Sequence, residues 1–388
     1  MHAKTWGKSG GLLCMALVAS GAAQAQSSVT LYGKIEDGLN YTSNAQGHSA
    51  YQLESGYDYG SRWGLKGSED LGGGTHAIFQ LENGFDVNTG RNSQGGREFG
   101  RQAFVGIASD RYGTLTLGRQ YDPSVDMFSP TTANGNWTGY IFAHPYDNDN
   151  TDYSFRANNA VKYVSPTYHG FSAEAMYAFS NQTGGFADNR LYGFAAQYVH
   201  GGLTVAASYL KLNHAGTTSG AVSDDATFTA GSQQNIGVGA TYAFSNWLLG
   251  VAYSHVDVYD PTANAYFTSD GGATQPAGGT WNAWKFDNIE VNALYHFTHA
   301  LYLGGAYTYT QANLTSSVGS FRPKWHQLSL KLNYDLSPRT SVYLEGAWQH
   351  AVSANTGTQF DYANIPGSAD ISSGENQMLY RIALIHGF

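Results

Sequence analysis

Along most of the chain, apolar and polar residues alternate one by one. Between His326 and Leu336, one face of an extended chain carries His326, Leu328, Leu330, Leu332, Tyr334 and Leu336, and the other carries Gln327, Ser329, Lys331, Asn333 and Asp335. That is the period of a half-buried strand, whereas a helix would scatter these residues around its axis. The same beat returns in Ile289, Val291, Ala293, Tyr295 and Phe297, in Ile236, Val238, Ala240, Tyr242 and Phe244, and at the end in Tyr380, Ile382, Leu384, His386 and Phe388. Such segments number about sixteen, near 29–42, 58–67, 75–85, 99–108, 112–119, 156–165, 170–179, 190–200, 202–212, 233–244, 247–257, 284–297, 301–312, 323–336, 341–352 and 376–388.

The connections alternate in length. Ser109–Gly113, Ser165–Gly170, His200–Gly202, Ser245–Trp247, Thr298–Ala300 and Ser337–Thr340 are tight, while 120–155, 213–232, 258–283 and 353–375 are long and rich in Gly, Asn, Asp, Ser and Thr. Short turns at one end and long loops at the other predict an all-β, sixteen-stranded antiparallel barrel in an outer membrane. A secreted β-sandwich also alternates, but its strands are usually only about 5 to 6 residues long, and these segments approach the roughly 9 to 11 residues of a tilted membrane strand. Aromatics gather where strands end, as at Tyr242, Phe244 and Trp247, the pattern of an interfacial girdle.

The first residues follow a different rule. Lys4 and Lys8 precede an apolar run from Leu12 to Ala19, and Ala23-Gln24-Ala25 forms a small-x-small cleavage site. Residues 1–25 therefore read as an export signal and 26–388 as the barrel domain. Cys14, the only cysteine, lies in the leader, so the mature chain has no thiol for disulfides, catalysis or metal. Losing Lys4 and Lys8 takes the formal net charge from −9 to −11, which argues against nucleic acid as a partner. Only 13% of the residues are charged, well under the usual quarter or so; Gly, Ser, Thr, Asn and Tyr supply the polarity.

Several runs carry a resemblance. Ser27 to Gly33, Gly60 to Gly74 (GSRWGLKGSEDLGGG), Ala77 to Glu82, Gly100 to Gly106, Tyr112 to Asp122 and Asn158 to Tyr163 look like the Gram-negative general porins, closest to the β-proteobacterial branch. The match is densest before residue 180. That family implies a sixteen-stranded barrel, usually a homotrimer, whose third extracellular loop, here 120–155, folds inward to narrow the channel.

Parity then sorts the lumen. If Leu31, Ile35 and Leu39 face lipid, Lys34 and Glu36 face inward; if Trp63 and Leu65 face lipid, Arg62 and Lys66 face inward. Arg101 precedes Phe104 and Gly106, read as the outward parity of the fourth strand, and Arg156 opens the sixth. By the resemblance, Lys34, Arg62, Arg101 and Arg156 match a basic constriction wall. The opposing acids come from 120–155, with Asp122 and Asp126 as candidates and Asp126 matching the family's loop-entry acid. The family's Pro-Glu-Phe-Gly-Gly-like tip is missing: Ser129 to Gly139 holds no acid. Phe388, ending the last apolar face, resembles the signal read by the barrel-assembly machinery.

Competing chemistry is weaker. No Gly-x-Ser-x-Gly, His-Glu-x-x-His or phosphate-binding glycine loop occurs, so no enzyme and no cofactor is expected. Asp147 to Asp152 partly matches a calcium loop, but Asp152 replaces the sixth-position glycine, and no metal site is assigned. An adhesin or ligand receptor acting through its surface loops is the alternative to passive diffusion of ions and small hydrophilic solutes. Net charge points to cations and the basic wall to anions; the wall is favoured, and the sequence leaves the selectivity open.

Overall fold

The computed structural model describes residues 28–267 and 273–388; the leader assigned to 1–25 lies outside them. Sixteen antiparallel wall segments follow one another. They are β1 Ser28–Ala45, β2 in two pieces (His48–Ser55 and Arg62–Gly72), β3 Thr75–Gly84 and β4 Gln102–Ser109. Next come β5 Gly113–Gln120, β6 Ala157–Val164, β7 Phe171–Ala178 and β8 Leu191–His200. Then follow β9 Leu203–Asn213, β10 Ser232–Phe244, β11 Trp247–Tyr259 and β12 Trp281–His296. The last are β13 Leu301–Ser316, β14 (Gly319–Phe321 and Lys324–Ser337), β15 Thr340–Val352 and β16 Asn376–Gly387. β16 returns to β1, with Lys34 opposite Gly387 and Thr42 opposite Leu379. The sheet closes and leaves no open edge, the condition for strands to cross a bilayer.

The wall is turned inside out relative to a soluble protein. Leu330, Leu344 and Ile382 expose 52%, 54% and 60% of their surface, while Glu36, Asn288, Glu290 and Gln349 are fully buried within the barrel. The alternation between Gln327 and Leu336 lies as its pattern predicts, and Trp247 packs on Tyr295 at the turn end with ring centroids 4.6 Å apart and planes inclined by 47°.

Two local expectations need correction. Residues 58–67 do not form one strand: the chain pairs with the upper part of β1 through His48–Ser55, leaves the wall at 56–61, and rejoins the lower part of β1 from Arg62. The cause is Glu36. Its carboxylate accepts the backbone N–H groups of Tyr57 (2.9 Å), Asp58 (2.9 Å) and Tyr59 (2.9 Å), drawing this inlet into the lumen. Gly56 and Gly60 permit the two reversals with φ of 77° and 57°, a region that costs glycine little. The piece at 48–55 escapes notice because its outward face has only Tyr51 and Leu53 as large apolar residues. On β4, the lipid-facing residues are Val105 and Ile107 rather than Phe104 and Gly106. Ala103, Phe104 and Val105 are apolar in succession, so alternation could not choose the face.

Toward the loop end the lumen is partly filled. Inward-facing Val256, Val258, Trp284, Phe286, Leu314 and Trp325 form an apolar core with Tyr146, Phe228, Phe267 and Phe360 from the links. Phe228–Thr229 and Ala263–Asn264 pair as a small two-stranded sheet from two of those links. This packing leaves the open part of the lumen toward the β1–β6 side.

Candidate permeation site

The link 121–156 lies against inward-facing side chains. The Ala133 N–H donates to Glu290 Oε1 (2.8 Å), and Gln327 Nε2 donates to the carbonyls of Ile141 (3.1 Å) and Ala143 (3.2 Å). The Tyr140 N–H donates to the Tyr57 carbonyl at 2.9 Å, and Thr138 Oγ1 donates to Asp58 at 3.1 Å. The link thus touches β12, β14 and the 56–61 inlet. Asp58 is paired with Lys331, and both are fully buried.

Arg62 begins the lower piece of β2, opposite Lys34 on one side and Gly84 on the other. Two residues before Gly84, Glu82 also points inward; its Oε1 accepts from Arg101 Nε at 2.8 Å, and its Oε2 lies 3.9 Å from Arg62 Nε. Arg101 reaches the lumen because it precedes the β4 ladder, so strand parity does not constrain it. Its Nη2 donates to Tyr121 Oη (2.8 Å), which also accepts from Arg156 Nη2 (3.1 Å). Burial alone would raise the Tyr121 hydroxyl's pKa, but the two guanidinium groups outweigh it and lower it. Arg62, Glu82, Arg101, Tyr121 and Arg156 thus form a connected row.

That row lines a cavity of about 540 Å³, which Asp152 and Tyr140 from the link also border. Burial, with Asp147 beside it, pushes the Asp152 carboxyl well above its ordinary pKa, toward its neutral form. Three of the four basic candidates are therefore brought together. Lys34 is not: its ammonium lies 3.5 Å from the centre of the Tyr59 ring and borders a separate cavity with Asp335, Arg339 and Phe388 at the turn end.

Neither acidic candidate borders the arginine-lined cavity. Asp122 is fully buried, accepting from the Ser124 N–H (2.8 Å) and Asn150 Nδ2 (2.9 Å); burial raises its pKa to about 6. Asp126 pairs with Lys162 of β6, and Glu174 lies 3.5 Å from the same ammonium. Glu82 was legible only as part of a family-like run; its inward parity was available, but its register against Arg101 was not. Phe388 closes the seam, donating its N–H to the Gly33 carbonyl and accepting from the Gly33 N–H, both at 3.1 Å. No group of three or more His, Cys, Asp or Glu able to hold a metal occurs among the described residues.

The chain matches the model of the Gram-negative porin family over residues 12–354. It is 34% identical over 379 residues to an outer membrane porin protein of Bordetella pertussis, spanning 87% of this chain and 93% of that one. It is 32% identical over 384 residues to outer membrane porin protein 32 of Delftia acidovorans, spanning 96% and 97%. Among solved structures, an anion-selective porin from Comamonas acidovorans superposes with a TM-score of 0.72 at 24% identity, covering 94% of this chain and 100% of that chain. A closed barrel with lipid-ready leucines outside and a polar, charge-lined passage inside is the form of a channel. This chain belongs to the Gram-negative porins, outer-membrane barrels through which ions and small hydrophilic solutes diffuse.

Proposed function

We propose that solutes cross at the cavity beside Arg62, Arg101 and Arg156, that the link 120–155 narrows the passage there, and that anions pass in preference to cations. The observation that carries this reading is the connected row in which Arg62 and Arg101 share one barrel-wall carboxylate, Glu82, and Arg156 joins them through the Tyr121 hydroxyl. In a narrow, low-dielectric passage that excess of positive charge is focused on the permeating ion. Acids on outer loops are screened within about 8 Å at physiological salt, so a net charge of −9 for the whole chain does not set selectivity. Lys34 adds positive charge from the turn-end vestibule. Asp122 acts as a brace within the link, and Asp126 is neutralised by Lys162.

Replacing Arg62 and Arg101 together by Gln tests the assignment in planar bilayers under a salt gradient. The zero-current potential moves in the cation-selective direction; an unchanged potential at low salt removes these residues from the constriction.

Residues 1–25 direct export, and Phe388 at the barrel seam is the terminal mark by which the assembly machinery receives the chain. A homotrimer is supported by the low side of the wall. β4 to β7 have 8 residues each, against 13 to 16 in β10 to β13. Strands of that length fall short of the roughly 9 to 11 residues that span a bilayer, and contact with neighbouring copies would cover that side.

A further inference from the structure

We propose that the arginine-lined cavity is a binding subsite for planar aromatic carboxylates, which it holds more tightly than saturated carboxylates of equal charge and similar size. The proposal rests on the constriction reading and adds the ligand class. Tyr57, Tyr121, Tyr140, Tyr153 and Tyr266 all border this one cavity, and each is half-buried.

Four of their hydroxyls are committed to the protein. Tyr57 Oη donates to the Gly367 carbonyl (2.7 Å) and Tyr153 Oη to the Gly135 carbonyl (3.0 Å). Tyr266 Oη pairs with Ser154 Oγ at 2.7 Å, and Tyr121 Oη accepts from Arg101 and Arg156. With their polar tips tied back, these residues offer the cavity ring faces and edges.

The rings already meet one another in edge-to-face geometry, Tyr57 on Tyr140 at 5.2 Å and 77°, and Tyr121 on Tyr153 at 5.6 Å and 71°. A further planar ring fits the same kind of contact. Its carboxylate has an unpaired donor at hand: Arg156 Nε is buried without a partner among the described residues, in a guanidinium group whose central carbon lies over the Tyr121 ring, 5.0 Å from its centre. Guanidinium groups for the anion and tyrosine rings for the body of the molecule thus border the same 540 Å³, within the usual range of small-ligand sites of about 300–1,000 Å³. A saturated ring has no quadrupole to match.

The test uses the native full-length channel in planar bilayers, with benzoate and cyclohexanecarboxylate as probes and block of the chloride current as the readout. Benzoate reaches half-block at a concentration about threefold to tenfold lower than cyclohexanecarboxylate, the range expected of one aromatic contact. In Tyr140→Leu and in Tyr153→Leu that ratio falls toward one. Because it is taken within each variant, it is insensitive to altered conductance or yield, and if neither variant forms channels the native ratio decides. Equal block by the two acids, no block by either, or a ratio unchanged in both variants overturns the proposal. Arg62→Gln with Arg101→Gln weakens block by both acids alike. If that pair alters neither block nor selectivity, the constriction reading itself fails, an outcome distinct from a ratio of one in a channel whose arginines still matter.

Discussion

Glu82 holds the charge balance of the passage, because it is the carboxylate that touches both Arg62 and Arg101. Glu82→Gln removes a negative charge from the narrow region and shifts the zero-current potential toward anions. Asp126→Asn removes one that does not border the arginine-lined cavity, so its shift is several-fold smaller. A larger effect from Asp126 in the same bilayer measurement would place the eyelet at β6 instead of β3. The asymmetry was only half legible. Inward parity selected Lys34 and Arg62, since alternation along a strand is a local property, whereas Arg101 and Arg156 lie just outside their strands and were selected by family likeness. Which acids face them depends on register between strands and on how one link folds, and neither is encoded in spacing. Asp122 looks like a pore acid in the sequence and proves to be an internal acceptor for the turn that follows it.

At the scale of elements, the passage is built from two pieces that leave the wall, the 56–61 inlet and the 121–156 link, and each hangs on a buried charge. Glu36 holds the inlet's N–H groups and also accepts from Arg381 Nη2 at 3.1 Å, with neither side chain exposed. Glu36→Ala strips Arg381 of its carboxylate, a loss on the order of 3–5 kcal/mol for a buried pair. The folded form, followed by its mobility in unheated gels, should melt at a markedly lower temperature, and an unchanged melting point would show that the inlet is held otherwise. The link is held by His144, whose Nδ1 lies 2.7 Å from Asp149 and whose Nε2 lies 3.2 Å from Glu290. Burial lowers its pKa, but the two carboxylates outweigh this and raise it from 6.5 to about 10. A value raised in the folded state means the stabilisation is complete below about pH 6.5 and is lost as pH climbs through about 10. Thermal midpoints of the native channel should therefore fall through that window more steeply than those of His144→Phe; parallel curves would contradict the charged bridge. Long strands such as β14 were readable because one face meets lipid without interruption. The inlet was not, because a strand broken by one carboxylate keeps its outward alternation on both sides of the break.

For the whole molecule, closure explains how a charge-poor, Gly- and Tyr-rich chain becomes stable in a membrane: every strand finds two neighbours, and β16 finds β1. Phe388 is both the last rung of that closure and the proposed assembly mark. As an ordinary seam residue its deletion would cost only some stability; as the mark, its deletion depletes folded channel in cells while detergent refolding persists, and normal surface levels would refute that role. What no strand pattern reveals is that loop-end aromatics fill part of the lumen and leave the passage beside the arginines. The central claim is that this passage, and not the net charge of the chain, sets the permeating ion. The most direct test is the zero-current potential of the refolded channel across a potassium chloride gradient, for the native protein and for the variant carrying Arg62→Gln, Arg101→Gln and Arg156→Gln. The account predicts a native potential of anion-selective sign and a shift to cation selectivity in the variant; a cation-selective native channel, or the same potential in both, would contradict it.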